Sequence, residues 1–506
     1  MNLKLLITTD IHGSIFPTNY ASRDNIQPYG MAHIASAIHK FRAEGPLLVL
    51  DNGDSFQGTP LVSYAHQHPD QYANPVAQTF NLLGYDYINL GNHDFNYGPA
   101  ILEKFVQETT AALLTSNVIH KGHPIGTTQI ITYGGKKIAL IGVLTQYVPN
   151  WERPAYIQNT AFIDALTHLR AEVARVKEHA DFVIALYHGG LERDPSSGEP
   201  TERLTGENQG YEMTSIDGLD LLITGHQHRS LVENIHGVLV TQSTFKAQEF
   251  VTIDLDLETR ACTAQLHKAS DYPVDETLLL PFQELNQKVQ DWLDLPVGQI
   301  DDTSPSLRIA DEFTARVQKH PLVSFLNQVQ LKRANADLSA TALFNGATGF
   351  HQFITMRELV STYLYPNTLV VKRISGSVLR EFLEFSAHYF AVSDAQLIPS
   401  PEYVAPKPQH YNYDMVDGVS YEIHVAKPRG QRIQALTYHG KAVQDDDSFT
   451  FVTNNYRAAG GGNFAMLVPC EVVQEIHEEM VDTIADYLQE HRPAHVMHTN
   501  NIKVIL

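Results

Sequence analysis

The sequence predicts an α/β protein whose first half is a two-sheet sandwich flanked by helices, followed by a second half of different character. Three observations lead there. Apolar runs alternate with amphipathic helical stretches as far as about Glu258. Five runs, Leu3 to Thr8, Leu47 to Leu50, Tyr87 to Leu90, Phe182 to Tyr187 and Leu219 to Thr224, have the length of buried strands and each leads into a loop. Those five loops open T-T-D-I-H, G-D, G-N-H-D, Y-H-G-G and G-H-Q-H.

Between the runs, helices are expected at Gly30 to Glu44, Pro75 to Gly84, Pro99 to Thr109 and Asp164 to His179, with further strands at Lys137 to Thr145 and Val238 to Ser243. His33 and His39 on the first helix and His168 and His179 on the last read as surface or packing residues. Val251 to Leu257 alternates apolar and acidic residues, as a half-exposed edge strand would. Asp275 to Leu293 repeats Leu278, Phe282, Leu285, Val289 and Trp292 at helical spacing, which predicts a connecting helix with Trp292 packed against it. Polar Asp301 to Ser306 follows as a loop. Proline-rich Ser393 to His410 reads as an irregular surface loop.

The loop residues carry the chemistry. In layered α/β folds functional groups gather where strands end, so Asp10, His12, Asp54, Asn92, His93, His188, His226 and His228 can meet in one cleft. Carboxylate, amide and imidazole donors with neither cysteine nearby suit hard or borderline divalent cations, and two such cations need a bridging carboxylate. Asp54, with Gly53 before it to admit a close backbone approach, is the bridging candidate. On extended backbone, Asp10 with His12 and His226 with His228 would each point to one side as a two-toothed clamp.

In this order, D-x-H, G-D, G-N-H-[DE], an isolated H and G-H-x-H resemble the calcineurin-like metallophosphoesterase superfamily. The resemblance implies a four-layer αββα sandwich. It also implies a two-metal centre, one ion taking Asp10, His12, bridging Asp54 and His228, the other Asp54, Asn92, His188 and His226, with Mn, Zn, Co or Fe as the metals. His93 matches the histidine that contacts the phosphoryl oxygen or the leaving group.

The second half lacks ligand-tipped strands but has N-G-A-T-G-F at Asn345, Y-P-N-T-L-V-V at Tyr365, Y-N-Y-D at Tyr411 and T-N-N-Y-R-A-A-G-G-G-N-F at Thr453. These resemble the C-terminal substrate domain of bacterial 5′-nucleotidases and of the 2′,3′-cyclic-nucleotide 2′-phosphodiesterases with 3′-nucleotidase activity. A smaller α+β domain is implied, in which Tyr413 and Tyr456 clasp the base and Asn345 orients ribose or base. The domains are expected at 1–272 and 305–506, with 273–304 as linker. Three positions favour the cyclic-nucleotide branch: Asn96 stands where 5′-nucleotidases have the Asp that orients their histidine, Phe350 where they have an Arg, and Gly462 where they have an Asp. The implied activity is hydrolysis of 2′,3′-cyclic nucleotides and then 3′-nucleotides. The alternatives are hydrolysis of 5′-nucleotides, nucleotide sugars or cyclic dinucleotides, and a non-catalytic nucleotide-binding protein on the same scaffold.

Composition sets limits. At 506 residues the chain suggests two or three domains, and 43% hydrophobic residues can fill their cores. A net charge of −21 argues against a nucleic-acid polymer as partner and leaves a small nucleotide, whose phosphate the metals would attract. Cys262 and Cys470 are too few for a disulfide framework and read as buried thiols. No segment has the length of a membrane helix. The start of the chain reads as cytoplasmic, with export the alternative if a leader was removed. Nothing in the sequence sets the oligomeric state.

Overall fold

The computed structural model describes every residue except Met1, Pro366 and Pro406, the last two lying in the Y-P-N-T-L-V-V motif and in the expected Ser393 to His410 loop. The chain forms two compact units, Met1–Val289 and Gln290–Leu506.

Among the described residues, unit 1 is built on two six-stranded sheets. The first runs in the order Ala261–Lys268, Glu249–Asp256, Asn2–Thr8, Leu47–Asp51, Tyr87–Ile88, Ala112–Leu113. The second runs Leu231–Ile235, Val238–Gln242, Leu221–Ile223, Phe182–His188, Lys136–Leu144, Gln129–Tyr133. The central strands of both are parallel, so both faces are covered and the sequence shows continuous apolar runs. Leu3, Leu5, Ile7 and Leu50 from one sheet meet Leu140, Ile184, Leu186 and Ile223 from the other in the core between them. Outside the second sheet, helix Ala165–Val176 packs Leu169, Val173 and Val176 against Ile141, Val143 and Val183. Outside the first, helix Met31–Glu44 buries Ile34, Ile38 and Phe41, with Phe41 edge-on to Phe250 at 6.4 Å. This is the expected four-layer sandwich. Local chemistry sets its turns: Asn74 caps helix Pro75–Leu83 by accepting from the Val76 and Ala77 amides at 2.9 and 3.1 Å, and Gly134-Gly135, both at positive φ, make the two-residue turn between Tyr133 and Lys136.

Two expectations change. The strand expected at an edge, Glu249–Asp256, is interior, paired with Asn2–Thr8 on one side and Ala261–Lys268 on the other. Alternation reports which face of a strand is wet, and Asp254 is exposed, pairing with Lys4 at 2.6 Å. It does not report lateral neighbours. The expected helix Asp275 to Leu293 is broken at Pro281 into helix Glu276–Leu279, a 3₁₀ turn Leu280–Phe282 and helix Gln283–Leu293, because proline removes a backbone donor. Leu278, Phe282, Leu285 and Val289 are buried as their spacing predicts, Trp292 is half-buried, and the division between the units falls inside the last helix.

Unit 2 centres on a mixed sheet in the order Asp414–Asp417, Leu338–Ala342, Ser448–Asn454, Leu369–Ser375, Glu471–Ile476, with a second sheet of Lys441–Ala442, Ile433–Tyr438, Val419–His424 and Ile502–Ile505. Helix Pro321–Ala334 buries Leu322, Phe325, Leu326 and Val329 in the same core as Leu338 and Ala340. The region expected as an irregular loop holds a hairpin, Phe390–Ser393 with Gln396–Pro399, and a 3₁₀ turn Pro401–Tyr403. Cys262 and Cys470 are free and half-buried, where full burial was expected. Among the described residues no helix is long and apolar enough to cross a membrane.

A buried ion pair braces unit 2. Arg457 Nε lies 2.7 Å from Asp414 Oδ2, both side chains almost fully buried, and the guanidinium lies over the Phe464 ring at 4.0 Å. Burial pushes the Asp414 carboxyl up, and Arg457 offsets part of that shift. Removing one partner leaves the other charge buried. Asp414→Ala is therefore expected to cost about 3–5 kcal/mol, and the apolar pair Asp414→Leu with Arg457→Met clearly less. Urea unfolding, read by hydrogen exchange of the Asp414–Asp417 and Ser448–Asn454 strands, checks this; equal losses in the two proteins would contradict it.

Candidate metal centre

The ligand-bearing loops all leave one end of the two sheets of unit 1. Asp10 and His12 follow strand Asn2–Thr8, Asp54 follows Leu47–Asp51, Asn92 and His93 open the 3₁₀ turn Asn92–Phe95, His188 ends Phe182–His188, and His226 and His228 follow Leu221–Ile223. Two clusters result. Asp10, His12 and His228 each offer an atom within 4.8 Å of the others, and so do Asp54, His188 and His226. Asn92 joins the second cluster, its Oδ1 lying 3.2 Å from His188 Nε2 and 2.8 Å from His226 Nδ1.

The backbone that delivers these groups is not extended. Asp10, His12, Asp54, His226 and His228 all have φ between 47° and 68°. This changes the clamp expectation: Asp10 and His12 still share a cluster, but His226 and His228 go to different ones, because a left-handed residue on either side of Gln227 turns the chain between them. Gly53 does admit a close approach. At φ 92° it runs so near the Gly91 amide that a Cβ would sit 2.3 Å from that nitrogen, and a Cβ on Gly91 would sit 2.2 Å from Asp54 Oδ1.

Each imidazole is oriented from behind. His188 Nδ1 donates to the Asn52 carbonyl at 2.7 Å and His12 Nδ1 to the Gln57 carbonyl at 3.0 Å, which turns both Nε2 atoms into the cleft. His226 is reversed: its Nε2 meets Glu207 Oε1 at 2.9 Å and its Nδ1 faces the cleft. Ring stacking adds to this, Phe245 lying on His228 at 4.6 Å and Trp151 on His226 at 5.4 Å. Buried amides tie the two sheets beneath: Asn52 Nδ2 donates to the Tyr187 carbonyl, and Asn89 Nδ2 to Asn52 Oδ1 and to the Val143 carbonyl.

The clusters fit divalent cations. His12 Nε2 and His228 Nε2 point at each other across 3.3 Å, and buried Asp54 Oδ2 faces His188 Nε2 at 3.2 Å. A mixed carboxylate, amide and imidazole set without thiolate suits a hard or borderline metal. The ionisable groups of the two clusters act strongly on one another. Burial opposes protonation of His188, but Asp54 outweighs it and pushes the imidazole up to about 10; burial, with His93 adding to it, pushes His12 down to about 4 although Asp54 and Asp10 oppose. Burial likewise opposes ionisation of Asp10, yet the His228 hydrogen bond and the charge of His188 hold it below its ordinary range.

His93 stands beside the first cluster, its ring 5.5 Å from that of His12. Its neighbour Asp94 points away from it and accepts from four backbone amides: Gly91 at 2.8 Å, Asp54 at 3.1 Å, Ser55 at 2.8 Å and Phe56 at 3.2 Å. The partner of His93 is Asn96, whose Oδ1 lies 2.7 Å from His93 Nδ1.

Two family models match the chain, calcineurin-like phosphoesterase over residues 3–230 and 5′-nucleotidase, C-terminal domain, over residues 296–469. A solved Staphylococcus aureus protein assigned as a 5′-nucleotidase, in complex with alpha-ketoglutarate, is 34% identical over the full length of both chains and superposes with a TM-score of 0.93. The chain belongs to the 5′-nucleotidase family of calcineurin-like phosphoesterases. It is a phosphoric ester hydrolase of the metal-dependent type, and its family implies a two-metal centre. Among curated proteins it is 27% identical to the trifunctional nucleotide phosphoesterase protein YfkN of Bacillus subtilis, over 99% of this chain but only 39% of that protein. It is 26% identical to the 2′,3′-cyclic-nucleotide 2′-phosphodiesterase/3′-nucleotidase of Haemophilus influenzae, over 97% of this chain and 84% of that protein.

In unit 2 the expected base-binding residues separate. Tyr456 and Asn345 are both half-buried, Asn345 Nδ2 donating to the Pro408 carbonyl at 3.1 Å. Tyr413 is 0% exposed, stacked on Tyr389 at 5.1 Å and edge-on to Phe390 at 4.9 Å. A ring with no free face is a core residue and not a platform, which corrects the expectation for Tyr413. The half-buried ring of the Y-N-Y-D run is Tyr411, 6.5 Å from Tyr365. Sequence reasoning also passed over Trp151 and Glu152. Their signal was a further strand, Lys136–Leu144, entering a loop whose first residues offer no metal donor.

The four amides on Asp94 generate a prediction. An asparagine there turns an NH₂ toward two N–H donors, so Asp94→Asn is expected to cost about 3 kcal/mol. It should also loosen the loops that carry Asp54 and Asn92. Chemical denaturation and metal content after dialysis measure the two effects, and retention of both would show the clamp to be dispensable.

Proposed function

We propose that this chain hydrolyses 2′,3′-cyclic nucleotides to 3′-nucleotides, and then 3′-nucleotides to nucleoside and phosphate, at a single two-metal centre. The observation that carries the reading is the pair of adjacent donor clusters, with buried Asp54 in one of them and its Oδ2 3.2 Å from His188 Nε2. In this reading Asp10, His12, Asp54 and His228 hold one ion, Asp54, Asn92, His188 and His226 hold the other, and Asp54 is shared. The donor set suits Mn, Zn, Co or Fe.

Two cations held there supply Lewis acidity toward the phosphoryl oxygens and lower the pKa of the attacking water. The protein does the rest. The His93 imidazole, held by Asn96, stands at the rim of the donors, where it stabilises charge on the phosphoryl group or protonates the departing ribose oxygen. In the first reaction that oxygen is O2′ and in the second O3′, so the intermediate nucleotide turns between steps. Base recognition that depends on stacking and not on hydrogen bonds tolerates such a turn, and each stacked base contributes about 1–3 kcal/mol. Tyr456 remains the candidate ring for this, with Tyr411 in place of Tyr413 and with Asn345 orienting the ribose or base.

Asn96 supports the cyclic-nucleotide branch, as does the activity by which the Haemophilus relative is named. The second reading is a 5′-nucleotidase, favoured by the assignment of the Staphylococcus protein. Phosphate and nucleoside release from 2′,3′-cAMP, 3′-AMP and 5′-AMP by Mn-loaded protein separates them. Turnover of the first two with little of the third is expected; dominant 5′-AMP hydrolysis would move the chain to the second reading. Asp54→Ala is expected to abolish diesterase and monoesterase activity together, and survival of either would mean two centres. Tyr456→Ala is expected to raise KM for nucleotides about tenfold or more, from loss of one stacked base, with a much smaller effect on bis-p-nitrophenyl phosphate. Equal effects on both substrates would make the ring structural.

A further inference from the structure

The 3₁₀ turn Val148–Asn150 presents two consecutive side chains to the metal end of unit 1. Trp151 stacks on His226 at 5.4 Å with the rings inclined by 27°. Glu152 reaches Asn96: Asn96 Nδ2 donates to Glu152 Oε2 at 2.6 Å, while Glu152 Oε1 accepts from the Arg153 amide at 2.8 Å. The loop is pinned on its far side, where the Arg153 guanidinium lies over the Tyr156 ring at 4.7 Å and donates to its hydroxyl at 3.1 Å.

We propose that Glu152, acting through Asn96, is the positioning residue that holds the His93 imidazole in one tautomer and one orientation. The argument is one of polarity. Asn96 Nδ2 donates to Glu152 Oε2, so the group Asn96 turns to His93 is its carbonyl oxygen. That oxygen only accepts, so His93 carries its proton on Nδ1, and the 2.7 Å contact is Nδ1–H to Oδ1. Nε2 is then the nitrogen turned to the reacting groups, and it donates to the phosphoryl or departing ribose oxygen when the ring carries a second proton there, as the imidazolium whose Nδ1–H Asn96 Oδ1 still accepts. The chain His93, Asn96, Glu152 thus does for tautomer and orientation what a directly bonded aspartate does, with the negative charge one amide farther away. Asp94 is not available for the task, its four acceptor directions being filled by backbone amides.

The proposal rests on the role given to His93 above, and the test separates the two. Asn96→Asp sets two carboxylates against each other. Asn96→Asp combined with Glu152→Gln restores alternating polarity, because the amide NH₂ introduced at position 152 donates to the carboxylate introduced at position 96, and that carboxylate accepts from His93. The expected result is a kcat on 3′-AMP that falls about tenfold or more in Asn96→Asp and recovers to within about threefold of the parent in the double variant, with a smaller fall on bis-p-nitrophenyl phosphate, whose leaving group needs no proton. Imidazole ¹⁵N shifts of His93 supply a readout independent of turnover: the Nδ1–H tautomer in the parent and the double variant, and a mixture in Glu152→Ala. A double variant no faster than Asn96→Asp, or an unchanged tautomer in Glu152→Ala, overturns the proposal. Parent-like turnover of 3′-AMP by His93→Ala overturns instead the role of His93, and the ¹⁵N shifts then still decide whether Glu152 sets its tautomer.

Discussion

Unit 1 is organised around a concentration of buried ionisable groups. Carboxylates and imidazoles converge on two points within a protein that carries a net charge of −21. Such an arrangement costs folding free energy unless cations occupy it. The backbone adds its own cost, since five of the donor residues sit in the left-handed region, each at about 1–3 kcal/mol. What holds the arrangement is the layer beneath. Asp94 gathers four amides, Asn52 and Asn89 bridge the sheets, and Gly53 and Gly91 leave the two loops no Cβ between them. These residues touch no substrate, yet the position of Asp54 depends on all of them.

Much of this is legible in the sequence. Continuous apolar runs ending in donors identify parallel strands covered on both faces, because only such strands dispense with polar alternation, and G-D reads as a close approach because no other residue has room before Asp54. What failed to show was lateral or distant. The neighbours of Glu249–Asp256 depend on where Ala261–Lys268 returns, which periodicity does not encode. Tyr413 and Tyr411 are the same residue type two positions apart, and only the entry into strand Asp414–Asp417 decides which ring goes under the sheet. Glu152 lies 56 positions from Asn96, and a glutamate after a tryptophan carries no local mark of its partner.

Unit 2 shows how a substitution at one position is tied to the next. Gly462 stands where the 5′-nucleotidase branch is expected to have an aspartate. Here its φ is 68°, and a Cβ would lie 2.2 Å from Asn412 Oδ1 and 2.4 Å from an Arg457 guanidinium nitrogen. Arg457 needs that room: the same side chain reaches Asn412 Oδ1 at 3.2 Å and the Tyr411 carbonyl at 3.0 Å while paired with Asp414. The buried guanidinium thereby joins the segment bearing Tyr411 to the one bearing Tyr456. Gly462 is an accommodation to Arg457 and Asn412, while the room at Gly461 is taken by Tyr456.

The same reasoning applies to Asn96. A carboxylate there would stand next to Glu152, within reach of its oxygens, and each added charge raises the cost of ionising its neighbours. An amide avoids this. It offers an acceptor to His93 and a donor to Glu152 without charge of its own, so the orienting effect is passed on while the negative charge stays a residue farther from the phosphoester. The departure at Asn96 and the glutamate at 152 are thus two halves of one arrangement, and neither is interpretable without the other.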